Sequence, residues 1–244
     1  HEEGMPASMH VNHTSHHIAS FTYLAAPDRC DTVRPTLLFL HGSGHSAVFW
    51  ERQLVADDLA TSANCLALDL SGHGANTAPP CRSVAEHAHK VVEFLDAIGV
   101  ETVIPVGLSL GGAIVQWLLL HHADRCQAGV IVNSGARLRV APAIFEALEG
   151  DYPRYLDMLK EMALSPANRE DPTIGTLLRR CTTPDAAITA LDFRCCDQFD
   201  VIARLKQIQR PVLVMAAAAD LLTPPKYGAF LEEAIPGARR VTLA

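Results

Sequence analysis

The sequence predicts an α/β fold: a mostly parallel sheet with flanking helices and one inserted, wholly helical segment. Three observations carry this. Short apolar runs alternate with helical patterns along most of the chain, the signature of a sheet covered on both faces. Residues 102–112 read Thr-Val-Ile-Pro-Val-Gly-Leu-Ser-Leu-Gly-Gly, an apolar strand that runs through Gly-x-Ser-x-Gly into a helical pattern. Between residues 137 and 208 no buried-strand run occurs, although strands resume afterwards. With 244 residues, 49% of them apolar and 19% charged, the chain can build a large core and does not have the composition of a disordered one.

Taken in order, residues 1–8 (His-Glu-Glu-Gly-Met-Pro-Ala-Ser) read as an expression remnant, with Met9 the natural start. Residues 16–24 read as a single first strand. His10, His13, His16 and His17 decorate this region as surface residues rather than as a metal cluster. Residues 35–40 form a continuous apolar strand that ends in His41-Gly42-Ser43-Gly44. Residues 47–59 are helical, and 64–70 form the next strand, which runs into Asp69-Leu70-Ser71-Gly72-His73-Gly74. Ser83 followed by Glu86 is a capping box, and Gly99 follows the last periodic residue, so a helix spans 84–98. The Gly-x-Ser-x-Gly strand precedes a helix over 110–122, and 128–134 is another buried strand.

From 137 to 208 helical periodicity is interrupted by Pro142, Pro153, Pro166, Pro172 and Pro184, which reads as an inserted helical cap. The sheet resumes at 211–216, followed by Asp220, Pro224, a helix over 227–234 and a last strand at 239–243. The expected organisation is a core of residues 9–136 and 209–244 around a cap of 137–208.

Bulk properties narrow the function. Net charge is −7 and no Lys/Arg cluster appears, which argues against nucleic acid or an anionic membrane surface as partner. No run approaches the roughly 18 apolar residues of a membrane span. Seven cysteines (Cys30, Cys65, Cys81, Cys126, Cys181, Cys195, Cys196) show no C-x-x-C pair and no zinc spacing. Reduced, buried thiols in a cytoplasmic protein are the expectation.

A strand–Gly-x-Ser-x-Gly–helix sequence is a nucleophile elbow, the sharp turn that lifts a serine hydroxyl clear of the sheet. Glycines flank the serine at −2 and +2 because backbone there passes too close for a Cβ. Together with His41-Gly42-Ser43-Gly44, Asp69-x-x-Gly72-His73-Gly74 and Asp220-Leu-Leu-Thr-Pro224, each at a strand end and in this order, the chain resembles the α/β-hydrolase superfamily. It is most similar to the small capped branch of esterases, lactonases and carbon–carbon bond hydrolases, over almost its whole length from Met9.

The resemblance implies a serine hydrolase that cleaves an ester, thioester or lactone of a small to medium organic substrate. Ser109 would be the nucleophile and Asp220 the acid that orients and stabilises a catalytic imidazolium. The N–H groups of Ser43 and Leu110 would form the oxyanion hole. His41 and His73 would shape loops near the mouth, and His45 would face either pocket or solvent. The family's general base is a histidine after the last strand, whereas no histidine follows His122 here. His121 and His122 lie twelve and thirteen residues beyond Ser109, roughly 18–20 Å away along a helix.

The base is therefore expected after Ala244, on a loop and final helix not included in the sequence. Two alternatives stay open: a non-catalytic ligand-binding member, or His1 standing in through the N-terminal segment. Carbon–carbon bond hydrolysis or cofactor-free perhydrolysis on the same residues also remain. Serine at the nucleophile position argues against haloalkane dehalogenase, epoxide hydrolase and dienelactone-type chemistry. No metal or organic cofactor is required, and the partner is a small-molecule substrate. Phe145, Leu148, Tyr152, Tyr155, Leu156, Met158, Leu159 and Met162 could line an apolar pocket, with one or two touching substrate. Arg154, Arg179 and Arg180 are the candidate carboxylate contacts.

Overall fold

The computed structural model describes residues 13–26 and 31–244. The expected remnant over 1–8, His10 and Cys30 lie outside these residues.

An eight-stranded sheet forms the centre, in spatial order β1-β2-β4-β3-β5-β6-β7-β8. The strands are β1 (Thr14–Ile18), β2 (Phe21–Ala26), β3 (Thr36–Leu40), β4 (Asn64–Leu68), β5 (Ile104–Leu108), β6 (Gly129–Val132), β7 (Val212–Ala217) and β8 (Arg239–Leu243). β1 and β2 are antiparallel to their neighbours, and every pairing from β4 to β8 is parallel. The central parallel strands are largely apolar because both faces are covered, and all five residues of β4 are buried, whereas the edge strand β8 (Arg-Arg-Val-Thr-Leu) is mostly exposed. β8 is the last described element.

The expected single strand over 16–24 is instead a hairpin. The chain reverses at Ala19, which adopts φ 51° with no glycine or asparagine to signal it. The expected helix over 47–59 is also divided. It comprises a 3-10 turn (Ala47–Trp50), α1 (Glu51–Leu54) and α2 (Asp57–Ser62), with Ala56 extended between the two α-helices. Trp50 and Leu54 pack with Phe39 and Cys65 beneath one face of the sheet.

The other face carries α3 (Val84–Ala97) and α4 (Leu110–His121). Ser83 caps α3 by accepting from the Glu86 N–H at 3.1 Å, while the Glu86 carboxylate accepts from the Arg82 N–H at 2.7 Å. α4 is apolar nearly all round, as befits a helix buried between sheet and neighbours, with Ala113, Ile114 and Val115 wholly inaccessible.

Between β6 and β7 lie α5 (Pro142–Gly150), α6 (Tyr152–Ala163), α7 (Pro172–Cys181) and α8 (Ala186–Gln198). The prolines read as interruptions prove to be beginnings. Pro142 and Pro172 are the first residues of α5 and α7, and Pro153 is the second of α6. Asp151, Asp171 and Asp185 cap α6, α7 and α8. Ile144, Ala147, Leu148, Tyr155, Ala190 and Phe193 form a small core of this segment's own. α9 (Pro225–Ala234) then covers β7 and β8. No helix among the described residues is long and apolar enough to cross a membrane.

The order of strands positions a site. From β3 the chain steps one way to β4, then returns to β5 on the other side of β3. The loops leaving the carboxyl ends of β3 and β5 therefore diverge, and such a switch point opens a crevice.

Candidate active site

β5 delivers Ser109. Leu108 pairs with Val132 of β6, and the chain then turns at once into α4. Ser109 makes this turn at φ 53° and ψ −111°, a conformation a residue with a side chain rarely adopts. Its surroundings enforce it. The Ser109 N–H donates to the Val132 carbonyl at 3.0 Å. The Ser109 carbonyl accepts from the Ser134 hydroxyl at 2.8 Å and from the Ala113 N–H at 3.1 Å. Gly107 and Gly111 are steric necessities: a Cβ at Gly107 would lie 2.1 Å from the Gly111 carbonyl oxygen, and one at Gly111 would lie 2.3 Å from that of Leu40. Leu110 opens α4, so its N–H has no intrahelical acceptor and sits at the positive end of the helix dipole.

β3 delivers the loop over residues 41–45, adjacent because Leu40 pairs with Gly107. The His41 ring is fixed in one neutral tautomer. Its Nδ1–H donates to the Gly42 carbonyl at 2.9 Å, and its Nε2 accepts the Leu70 N–H at 3.1 Å. Burial, then the nearby His73 ring, holds its pKa well below the usual histidine range. Ser43 is buried, its hydroxyl 3.7 Å from the Cys196 sulfur. His45 stacks on Phe49 with centroids 5.1 Å apart, and burial pushes its pKa down to about 4.

β7 delivers Asp220. Its Oδ1 accepts the N–H groups of Leu222 and Thr223 at 2.8 and 2.9 Å, and its Oδ2 accepts the Thr223 hydroxyl at 2.9 Å. Burial raises its carboxyl pKa despite these donors. Ser109, Ser43, His45 and Asp220 line one cavity of about 680 Å³. Tyr152, Leu156 and Leu159 of α6 give it an apolar wall.

Beneath the loop over 41–45 lies a polar cluster that sequence reasoning missed. Asp192 of α8 is wholly buried, and His73 Nε2 contacts its Oδ2 at 2.8 Å. His73 Nδ1 faces the Ser71 carbonyl at 3.1 Å. Both ring nitrogens thus face acceptors, a pattern satisfied only by the imidazolium. Burial opposes that charge, but the hydrogen bond and charge of Asp192 outweigh it and raise the His73 pKa. His87 lies 4.0 Å from Asp192 Oδ1, and burial pushes its pKa down to about 4. The available signal was modest: an aspartate on the buried stripe Thr189, Asp192, Phe193, Cys196 of a helix.

The sequence model of the α/β hydrolase fold matches residues 35–244. The chain belongs to this α/β-hydrolase family. Among its relatives, it is 30% identical over 194 residues to a pimeloyl-[acyl-carrier protein] methyl ester esterase of Neisseria meningitidis serogroup B, covering 72% of each chain. It is 27% identical over 220 residues to 3-oxoadipate enol-lactonase 2 of Acinetobacter baylyi, covering 83% of this chain and 78% of that one. Among solved structures, a hydrolase from Pseudomonas aeruginosa superposes with TM-score 0.81 at 28% identity, over 95% of this chain and 90% of that one.

In this α/β hydrolase several candidate residues separate. Of the apolar candidates, Tyr152, Leu156 and Leu159 line the cavity, whereas Leu148, Tyr155, Phe145 and Met158 pack in the segment's own core. Met162 accepts the Leu221 N–H at its carbonyl, 3.0 Å away. Arg179 lines the cavity, and Arg154 does not. Arg180 donates twice to the Glu51 carboxylate, at 2.6 and 2.7 Å. His121 is at the far end of α4, stacked on Trp117 and 2.7 Å from Arg204. Among the described residues no group of His, Cys, Asp or Glu side chains is arranged to hold a metal.

Proposed function

We propose that this α/β hydrolase cleaves an ester, thioester or lactone of a small to medium organic substrate through an acyl-enzyme on Ser109. One observation carries the reading. The serine at the strained strand-to-helix turn and the buried carboxylate of Asp220 open onto the same largely apolar cavity. The relatives' names, a methyl ester esterase and an enol-lactonase, point to the same bond class.

In this reading Ser109 Oγ attacks the substrate carbonyl as a general base takes its proton. The tetrahedral oxyanion is held by the N–H groups of Leu110 and Ser43, and collapse expels the alcohol, which receives the proton. Water then attacks the acyl-enzyme by the same steps and releases the acid. Asp220 orients the imidazole and stabilises its protonated form. Residues 137–208 act as a cap, and the substrate's apolar part lies against α6.

Among the described histidines none is hydrogen-bonded to Ser109 or Asp220; His45, which lines the cavity, stacks on Phe49 and has its pKa pushed down to about 4 by burial. His41 and His73 commit both ring nitrogens to buried contacts. His121 and His122 end α4 on the side away from Ser109. The same fact favours a second reading, a ligand-binding member of the fold that holds small molecules without turnover.

A fluorophosphonate probe separates the two. Stoichiometric labelling at Ser109, abolished in Ser109→Ala, supports the hydrolase. Absence of labelling in a protein that still binds esters supports the binding module.

A further inference from the structure

The helical segment grips the loop over 41–45 through its backbone. The Gly44 N–H donates to Asp192 Oδ2 at 2.8 Å, and the Gly44 carbonyl accepts the Thr183 N–H at 2.8 Å. Gly44 adopts φ +69°, and a Cβ there would lie 2.7 Å from the Thr189 hydroxyl, so the loop lies flush against α8. Next to it, the Ser43 hydroxyl meets Cys196. The four contacts come from Thr183 and from three residues of one helix face, and together they hold both peptide groups of Gly44.

On the core side, His73 holds Asp192 in place through the same carboxylate oxygen, 2.8 Å away. Asp192 Oδ2 is therefore the point at which three parts of the chain meet: the loop after β3, the loop after β4, and α8. A carboxylate wholly removed from water requires such partners, and losing one leaves the others short of theirs.

We infer that Asp192 is a positioning residue: clamped by His73, it holds Gly44 and thereby sets where the Ser43 N–H points. The inference rests on the serine-hydrolase reading, in which that N–H is half of the oxyanion hole. The segment between β6 and β7 then does more than wall the cavity, because its helix α8 fixes part of the catalytic backbone. Asp192 touches no substrate; it acts through the loop.

The test is the rate of fluorophosphonate labelling at Ser109, which draws on the oxyanion hole because the probe's phosphoryl oxygen occupies it. It is combined with hydrogen exchange of the peptide over 42–46 and binding of a carboxylate product. Asp192→Ala is expected to slow labelling about tenfold or more and to speed exchange at 42–46, while product affinity changes less than about threefold. Asp192→Asn keeps a carbonyl oxygen for the Gly44 N–H and should recover most of the labelling rate. Arg180→Ala cuts a different tie between segment and core, the one to Glu51, and should leave the labelling rate unchanged.

A folded Asp192→Ala that labels at the wild-type rate overturns the inference. So does equal slowing by Arg180→Ala, which would reduce Asp192 to general support. If Asp192→Ala does not fold, the Asp192→Asn and His73→Gln pair decides: retained labelling in the first with slowed labelling in the second supports positioning, and equal wild-type rates in both overturn it. Wild-type protein that never labels overturns the serine-hydrolase reading itself, and the positioning role falls with it.

Discussion

Ser109 and Asp220 reach one cavity by different backbone means, and each means predicts a distinct response to substitution. Ser109 is presented by a turn that glycine alone can build, so Gly107→Ala drives a methyl group against the Gly111 carbonyl. Backbone cannot yield as a side-chain tip can, and the loss should amount to several kcal/mol, seen as a sharply lowered melting temperature or insoluble protein. Ser109→Ala touches none of this geometry. It should leave the melting temperature within a few degrees while lowering ester turnover by several orders of magnitude. Near-normal hydrolysis by that variant would remove Ser109 from the reaction. Asp220→Asn keeps both backbone contacts of Oδ1 and should also lose most activity; retention would place the acid elsewhere. These residues were legible in the sequence because the turn and the loops constrain residue types within a few positions. Asp192 was not legible, because its partners Gly44 and His73 lie 148 and 119 residues away.

Elements followed the sequence where local chemistry decides them. The Ser83–Glu86 cap starts α3, and the largely apolar runs of β3 and β4 announce a sheet covered on both faces. The misread elements share a cause. At Ala19 the hairpin is set by pairing of β1 with β2, not by a turn residue, and at Ala56 the helix breaks where Trp50 and Leu54 pack under the sheet. The prolines of the inserted segment carried a true signal read in the wrong direction, since each aspartate or alanine before them opens a helix. Exposure differs among these helices: α6 and α7 bury one residue each, Tyr155 and Cys181, whereas α8 buries six. Amide hydrogen exchange should therefore be faster in α6 and α7 than in α8. Equal protection across the three would mean that the segment opens as one unit.

At the scale of the molecule, pH acts through the buried histidines. His45 and His87 have folded pKa values of about 4 against an ordinary value of 6.5. Between those values the unfolded chain binds more protons, so stability falls as pH drops from about 6.5 to about 4, by up to roughly 3 kcal/mol for each. His73 works in the opposite sense: its raised pKa stabilises the fold below about 6.5, and that contribution is lost as pH rises through its folded value. His41, held well below the usual histidine range, acts in the same sense as His45 and His87, so of these buried rings three oppose one and the melting temperature should decline on acidification. A flat profile from pH 7 to pH 4.5 would show that these rings accept protons in the folded state.

α8 belongs to two cores at once. Ala190 and Phe193 pack with α5 and α6, while Cys195 and Cys196 pack with the helices on the sheet. A member common to two cores cannot swing without breaking one of them. The segment is thus no hinged door. In the proposed hydrolase α8 is therefore the fixed side of the cavity, and ligand entry is expected to draw on the less buried α6 and α7 rather than on the helix that holds Gly44.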